Sequence, residues 1–266
     1  MGQRIKEDKF GTISHSSGTI SLAASILTIG GQQYVTSALS RLISTDVTLV
    51  ALTRYMVYAV ISGGSPALRI STNVNSVGPA GFTGWKLVGA FYSDGMSPVA
   101  FGSFVNLEGK PGTNYMPYQP VWSSSGTQPT LGASSLTGRV RLDGDQQIFD
   151  FNLLGGAGLS AGTGQYFFSA PFTIDPAKMS EAQATRTLFS FAYSLYGNQR
   201  GVVLVYSTTT AVALFCTTDG GANQSTDYGG AVSATNPAAF SSGNQLAARN
   251  IIVPVAGLSN TAIKDL

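Results

Sequence analysis

Residues 139–154, RVRLDGDQQIFDFNLL, give the clearest indication of the fold class of this 266-residue chain. Apolar and polar residues alternate before and after Asp143-Gly144, a pair that is typical of a tight turn. In the second half Phe149, Phe151 and Leu153 share one face, and the polar residues between them share the other. The stretch therefore predicts an antiparallel hairpin whose second strand is half-buried.

Short strands and turns recur along the rest of the chain, and no long segment repeats at a helical period. Tyr55–Ile61 is apolar on both alternating faces, which predicts a strand covered on both sides and paired with Leu68–Ser71 across a Gly-Gly turn. Trp85–Tyr92 and Val99–Phe104 predict another hairpin, with Asp94-Gly95 supplying the positive φ of its turn. Further predicted strands are Tyr166–Ala170, Leu188–Tyr196, Val202–Tyr206, Ala211–Cys216 and Ile251–Val255.

The distribution of Pro, Gly and polar residues divides the chain into four parts. Residues 1–24 are polar and are predicted to be an N-terminal docking arm, followed by an N-terminal β domain over 25–109. Residues 110–128 are so rich in Pro and Gly that we expect a connector without regular structure. A jelly-roll-like β-sandwich is predicted over 129–266. The expected fold class is all-β, with two sandwich- or jelly-roll-like domains and an extended N-terminal arm.

Composition and charge argue against several classes of function. Only 11% of the residues are charged, against about 25% in typical soluble domains. The net charge of +2 comes from scattered residues, so we expect no nucleic-acid binding. No apolar run approaches the roughly 20 residues of a membrane span, and no secretory signal is recognisable at the N-terminus. We therefore expect no membrane insertion, and we expect the chain to assemble in the cytoplasm of the cell that makes it.

The chain has one histidine and one cysteine, which limits metal and catalytic chemistry. A disulfide framework within the chain and a zinc site of His and Cys ligands are both out of reach. Cys216 is expected to be a small buried apolar residue. His15 lies in a Ser/Gly-rich segment without a nucleophile motif, so we expect an exposed arm residue and no hydrolase triad. No cofactor or metal is predicted.

Paired carboxylates are the remaining route to catalysis. Asp143, Asp145 and Asp150 lie close in sequence, but the first two flank Gly144 and are typical turn residues. A capsule-degrading glycosidase that uses such a pair stays open as a distant alternative. The expectation is a protein that is not an enzyme.

Aromatic residues on predicted loops are the candidates for binding a surface. Three lie in the connector, and another lies in the Gly/Asn/Ser-rich segment Asp219–Gln245 beside polar partners. Flat rings stack on sugars and amide or carboxylate groups bond hydroxyls, although such rings also fasten loops to a sandwich or to a neighbouring subunit. The candidate glycan-binding residues are Trp122, Tyr115, Tyr118, Tyr228, Asp227 and Asn223.

Three segments resemble modules of tailed-phage virion proteins. Residues 128–145, QPTLGASSLTGRVRLDGD, are similar to the "P-x-L-G-x-G-x-L-x-G-x-Y" stretch of minor tail and tail-fibre proteins. Residues 162–171, GTGQYFFSAP, resemble the "G-T-G-x-W-x-F-S-L-P" strand of the same module, and residues 252–258, IVPVAGL, resemble its closing "x-P-I-x-G-W" strand. Val140, Asp143 and Leu258 depart from the pattern, where an aromatic residue, an apolar residue and a Trp are usual.

The resemblance implies a structural protein of a phage particle with a C-terminal jelly roll. The expected function is that of a tail-associated fibre or minor tail protein that presents loops to the host surface. A head-surface decoration or head-fibre protein is the alternative. The expected partners are the chain itself, as a homotrimer, other virion proteins through the N-terminal arm, and a host-cell-surface glycan.

Overall fold

The computed structural model describes residues 8–9, 11–105, 112–178, 185–194, 199–206, 210–217, 228–231, 233 and 240–257. Over these residues the regular structure is β except for two single 3₁₀ turns, Ile43–Thr45 and Pro176–Lys178, so the predicted all-β class is confirmed. The chain divides into two compact units, with the boundary between Asn114 and Tyr115. Each unit is described by itself below.

The first unit is built from short antiparallel strands in three sheets. Their orders are β1-β2-β5, β3-β4 and β7-β6-β8-β9. The strands are β1 (Ile13–Ser16), β2 (Thr19–Leu22), β3 (Ser25–Ile29), β4 (Gln32–Thr36), β5 (Leu39–Leu42), β6 (Arg54–Ser62), β7 (Ser65–Ser71), β8 (Trp85–Ser93) and β9 (Phe101–Phe104).

Strand β6 is the centre of the first unit and is buried on both faces, as its sequence predicts. Val57 packs against the apolar residues of the smaller sheets, and Tyr58 faces a second cluster that includes Trp85. Both Val57 and Tyr58 are fully buried. The hairpin to β7 is also confirmed, with positive φ at Gly63 and Gly64 as a tight two-residue turn requires.

The hairpin from β8 to β9 is confirmed, but its turn differs from the prediction. Phe91 pairs with Phe104, while Gly95 is not among the residues with positive φ. The buried Asp94 carboxylate instead accepts the backbone N–H of Ala100 at 2.8 Å. The connection is therefore closed by this side-chain bond and by the backbone bond from the Asp94 N–H to the Ala100 carbonyl oxygen at 2.9 Å, without left-handed backbone at Gly95.

Strands β1 and β2 correct the prediction of a free arm over residues 1–24. The two strands pair antiparallel and β2 also pairs with β5. Ile20 and Leu22 of β2 are 0% and 1% exposed in the core of the first unit. Residues 13–22 are therefore part of the N-terminal unit, because alternate apolar residues in a four-residue strand suffice to fix it on the core.

The second unit is one antiparallel sheet of order β10-β12-β13-β19-β15-β16-β17-β14-β11, with β18 paired to β17. Its longest local hairpin, β12 to β13, is confirmed, with Asp143 opposite Gln146 and positive φ at Gly144. The strands are β10 (Met116–Tyr118), β11 (Trp122–Ser124), β12 (Ser135–Asp143), β13 (Gln146–Leu154), β14 (Tyr166–Ser169), β15 (Thr185–Ser194), β16 (Gln199–Tyr206), β17 (Ala211–Thr217), β18 (Tyr228–Ala231) and β19 (Gln245–Pro254).

Strands β10 and β11 correct the prediction of an irregular connector over 110–128. They lie at opposite ends of the sheet path, yet only residues 119–121 separate them. Nine strands in a flat sheet would place the outer two about 38 Å apart, since neighbours lie about 4.8 Å apart. The connecting residues reach only about 14 Å. The sheet therefore curls back on itself into a sandwich-like unit.

The two longer segments that carry the resemblance lie close together at Gly162, where a Cβ would lie 3.0 Å from the backbone nitrogen of Pro129. Next to this contact, Thr130 exchanges N–H···O bonds of 2.9 and 3.0 Å with Ser160, which lies two residues before the second segment. A Cβ at Gly162 would lie 2.1 Å from the carbonyl oxygen of Thr127, and its φ of +64° also favours glycine. Gly162 therefore allows close backbone packing, in keeping with a structural motif.

Candidate functional site

Three of the six predicted binding residues have described side chains, namely Tyr115, Tyr118 and Trp122. Asn223 and Asp227 lie outside the described residues. Tyr228 begins β18, of which only the backbone is described. The prediction for the loop Asp219–Gln245 therefore stays a prediction.

Tyr118 and Trp122 are core residues, so their assignment to a binding surface is wrong. They are 2% and 7% exposed. Tyr118 packs edge-on against Phe149 with 6.2 Å between ring centres, and Trp122 packs edge-on against Tyr166 at 5.0 Å. Burial, with a smaller contribution from the nearby charge of Asp150, raises the pKa of Tyr118 far above its ordinary value. Both rings fasten the short strands β10 and β11 to the sandwich.

Tyr115 is the connector aromatic that stays at the surface, with 37% of its area exposed. The guanidinium carbon of Arg139 lies 4.4 Å from the centre of its ring, and that of Arg141 lies 5.7 Å away. Cations in this position are attracted to the electron-rich ring face. We call Tyr115, Arg139 and Arg141 the Tyr115 patch.

The strand alternation of β12 places both arginines on one face. Val140, between them, is fully buried, while Met116 of β10 lies opposite it. Residues 139 and 141 therefore point to the other side of the sheet, about 6.8 Å apart along the strand. The sequence signal for this arrangement is the triplet Arg139-Val140-Arg141, which predicts the shared face but not the ring between the guanidinium groups.

A buried carboxylate holds Arg139 in place. The Nε of Arg139 donates to Asp150 Oδ2 at 2.6 Å, and the backbone N–H of Asn250 donates to Oδ1 of the same carboxylate at 2.7 Å. Asp150 is 7% exposed whereas the Arg139 side chain is 57% exposed. The hydrogen bond to Asp150 raises the pKa of Arg139, so the guanidinium stays charged.

The same geometry bears on the predicted acid cluster. Both oxygens of Asp150 accept hydrogen bonds, and Asp145 lies 3.4 Å from the Lys178 ammonium group. These contacts are typical of structural carboxylates. Among the residues that the structure describes, no group of three or more His, Cys, Asp or Glu side chains is placed to hold a metal ion.

An apolar row continues from the Tyr115 patch across the sheet. Arg141 lies opposite Ile148 of β13, which in turn lies opposite Ile252 of β19. Ile252 is 43% exposed. The outer face of these strands therefore combines cationic donors with exposed apolar and aromatic surface.

A pocket in the first unit contains the single histidine. It encloses about 520 Å³, and His15 stacks on Phe101 in its wall with 4.0 Å between ring centres. His15 is half-buried, so the prediction of an exposed arm residue is wrong. The N–H of Gly18 donates to His15 Nε2 at 3.1 Å, and burial lowers the pKa of the imidazole, which favours the neutral ring. The other lining residues are largely apolar and include Leu42, Ile43, Val47, Leu49, Val99 and Ala100.

In the described ranges we find no helix that has both the length and the apolar character of a membrane span. Comparison of the chain with protein-family models, with curated proteins and with solved structures found no match.

Proposed function

We propose that this chain is a structural protein of a tailed-phage particle, of the tail-fibre or minor tail type, that binds the host surface. The resemblance of residues 128–145 and 162–171 to phage tail modules supports the assignment. The all-β architecture and the close approach of Gly162 to Pro129 between these two segments agree with it. The proposed role is to present a binding surface on a rigid scaffold.

The Tyr115 patch is the observation that carries the binding role. Charge is scarce in this chain, at 11% of the residues, yet two guanidinium groups converge on one exposed ring. Arg139 and Arg141 lie on the paired strand β12 and Tyr115 directly precedes β10, so few conformations are lost when the patch binds. Such a rigid aromatic and cationic surface is suited to recognition.

A homotrimer is the proposed assembly, since repeated weak sites gain avidity when they engage one surface together. The low charge of the chain agrees with subunit contacts that bury further area. Light scattering coupled to gel filtration of the purified chain measures the mass directly. A mass of three times 27.6 kDa is expected, and a monomer at micromolar concentration would contradict this part of the proposal.

Immunogold labelling of phage particles with an antibody against the purified chain tests the location. Label at the tail or its tip is expected. Label spread over the head would instead favour the decoration or head-fibre alternative. Particles without label would contradict the virion role altogether.

Polysaccharide turnover by the purified chain tests the distant glycosidase alternative. No reducing ends are expected, because Asp150 and Asp145 are engaged by Arg139 and Lys178. Turnover that an Asp→Asn change abolishes would contradict a purely structural role.

A further inference from the structure

We propose that the Tyr115 patch binds an anionic sugar, with the acid group held between Arg139 and Arg141 and the ring of the sugar packed on Tyr115. This inference rests on the proposed host-surface role and names its ligand class. Carboxylate and sulfate groups on sugars share the relevant chemistry, since both present several acceptor oxygens to guanidinium donors.

Arg139 is already oriented for such a ligand. Its Nε is bound to Asp150, which restricts the orientation of the guanidinium group and leaves the Nη donors for another acceptor. No described residue accepts a hydrogen bond from those nitrogens, and the side chain is 57% exposed. A ligand oxyanion at that edge therefore meets a fixed, fully charged donor.

Arg141 supplies the second cation. It makes no hydrogen bond or ion pair with any residue that the structure describes, and its contact is the Tyr115 ring at 5.7 Å. Because Arg139 and Arg141 lie on the same face of β12, one acid group can accept hydrogen bonds from both. Two charged donors that bind one anion together strengthen binding more than two separate donors do, because the Tyr115 ring and the sheet hold them side by side.

The apolar part of the site suits a sugar more than a simple anion. Sugar rings present faces of C–H bonds, which pack on aromatic and aliphatic surface. The exposed part of Tyr115 lies beside Arg141, and the exposed Ile252 lies two strands away on the other side, beyond the buried Ile148. The patch therefore matches a ligand with an acid group on an apolar ring.

Two other occupants fit less well. A second copy that used the same patch across a two-fold axis would bring like charges together, which costs free energy. A nucleic acid needs many phosphate contacts, whereas the 15 Lys and Arg of this chain are almost balanced by 13 Asp and Glu. A short anionic sugar needs only the two arginines present.

Asp143 allows a test in which a substitution is expected to raise the affinity for the anion. It is the next outward residue of β12 after Arg141, so its carboxylate opposes an approaching anion. Asp143→Asn removes this charge and is expected to strengthen binding. Arg141→Gln removes a donor without leaving a described partner unpaired, so the fold is expected to survive.

The experiment measures binding of the purified full-length chain to four polymers by isothermal titration calorimetry. Polygalacturonate and dextran sulfate supply acid groups on sugar rings, dextran supplies rings without charge, and polyglutamate supplies charge without sugar rings. We expect binding to one or both sugar polyanions, little binding to dextran and weaker binding to polyglutamate. The stronger of the two sugar polyanions identifies the acid group.

Variants assign the binding to the patch. Arg141→Gln and Tyr115→Leu are each expected to weaken binding about tenfold or more, and Asp143→Asn to tighten it several-fold. Arg69→Gln is the matched control, since Arg69 lies 5.4 Å from the centre of the Phe82 ring in the first unit, and it should leave affinity unchanged. Equal effects of Arg69→Gln and Arg141→Gln, equal binding of polyglutamate, or a change of oligomeric mass in Arg141→Gln would overturn the site.

The binding experiment and the labelling of phage particles test separate claims, so either one can fail without the other. Labelled tails with no binding to any sugar polyanion would overturn the site and leave the virion role standing. Binding that Arg141→Gln abolishes, in a chain absent from phage particles, would uphold the site and overturn the virion role.

Discussion

Phe151 and Phe168 stack with 4.2 Å between ring centres and 14° between planes, although four strands separate β13 from β14 along the sheet. Two strands so far apart in a flat sheet could not touch. The contact is therefore direct evidence that the sheet of the second unit folds over, and that these rings hold its two layers together.

Truncating either ring should destabilise the second unit strongly. Phe151→Ala and Phe168→Ala are each expected to lose about 3–5 kcal/mol, the usual cost of deleting a buried aromatic ring. Urea denaturation followed by tryptophan fluorescence measures the loss, in a Trp85→Phe background that leaves Trp122 as the reporter. Leu154→Ala, at a residue 46% exposed, is the control, and a loss below about 1 kcal/mol at Phe151 would contradict the two-layer arrangement.

Removing the hydroxyl group of Tyr118 should not destabilise the protein. The group is buried and has no hydrogen-bond partner among the described residues, so Tyr118→Phe is expected to gain about 1 kcal/mol. Tyr58→Phe is the matched case, because its hydroxyl donates to the carbonyl oxygen of Asn73 at 2.7 Å, and it should lose about 1 kcal/mol. Chemical denaturation measures the free energy of unfolding of both variants, which should change in opposite directions. A lower stability of Tyr118→Phe would show that the Tyr118 hydroxyl has a hydrogen-bond partner.

Gly138 should resist substitution because Tyr118 lies across it. A Cβ at Gly138 would approach the Tyr118 ring to 2.4 Å and Pro120 to 2.7 Å. Gly138→Ala is therefore expected to cost about 1–3 kcal/mol as an overpacked core position. Thr137→Ala, at the adjacent exposed position of β12, provides the comparison in thermal denaturation, and equal melting temperatures would refute the packing.

His15 should make stability depend on pH below about 6.5. Burial lowers the pKa of its imidazole in the folded state from the ordinary 6.5, so the unfolded chain binds the proton more readily. Stability is then complete above pH 6.5 and falls as the pH drops towards the folded-state pKa. Urea denaturation between pH 7.5 and 5 measures the slope, which His15→Gln should flatten; an unchanged slope would assign the titration to another group.

Asp46 should stabilise the first unit above pH about 4. Burial alone would raise its pKa, but hydrogen bonds from Arg41 and from the Ile70 backbone N–H lower it below 3.8. This contribution is present above pH 3.8 and is lost as the pH falls through the folded-state pKa. Asp46→Asn is expected to lose about 1–3 kcal/mol at pH 7, and the loss should shrink as the pH falls from 3.8 through the folded-state pKa, measured by urea denaturation.

The control for Asp46 is Asp145→Asn. Asp145 pairs with Lys178 at the surface, where both side chains are about one-third exposed, so the expected loss is below about 1 kcal/mol. Equal losses in the two variants would show that burial of the Asp46 pair has no special effect.

The hairpins were predictable because their information is local. In β6 with β7 and in β12 with β13, the period-two pattern and the turn glycines lie within 20 residues of each other. Strand and turn are then specified by neighbouring residues alone. The burial of β6 on both faces followed from its apolar run for the same reason.

The connector was misjudged because its strands have three residues each and pair with strands far from them in the chain. Strand β11 has three residues and pairs with β14, whose register places Trp122 opposite Phe168. Strand β10 pairs with β12 beyond it in the chain. A three-residue segment among prolines and glycines has no recognisable period, so only its partner strand reveals it.

The candidate site shows the same contrast between local sequence information and contacts between distant strands. The amino-acid pattern is enough to predict a β-rich chain, a strand face shared by Arg139 and Arg141, and aromatic rings crowded into residues 115–122. The packing of distant strands is needed to know that Tyr118 and Trp122 turn inward while Tyr115 meets the two arginines outside. Alternation along a strand is a property of the backbone, whereas the face that becomes the core depends on which distant strands close over it and bury the most apolar surface.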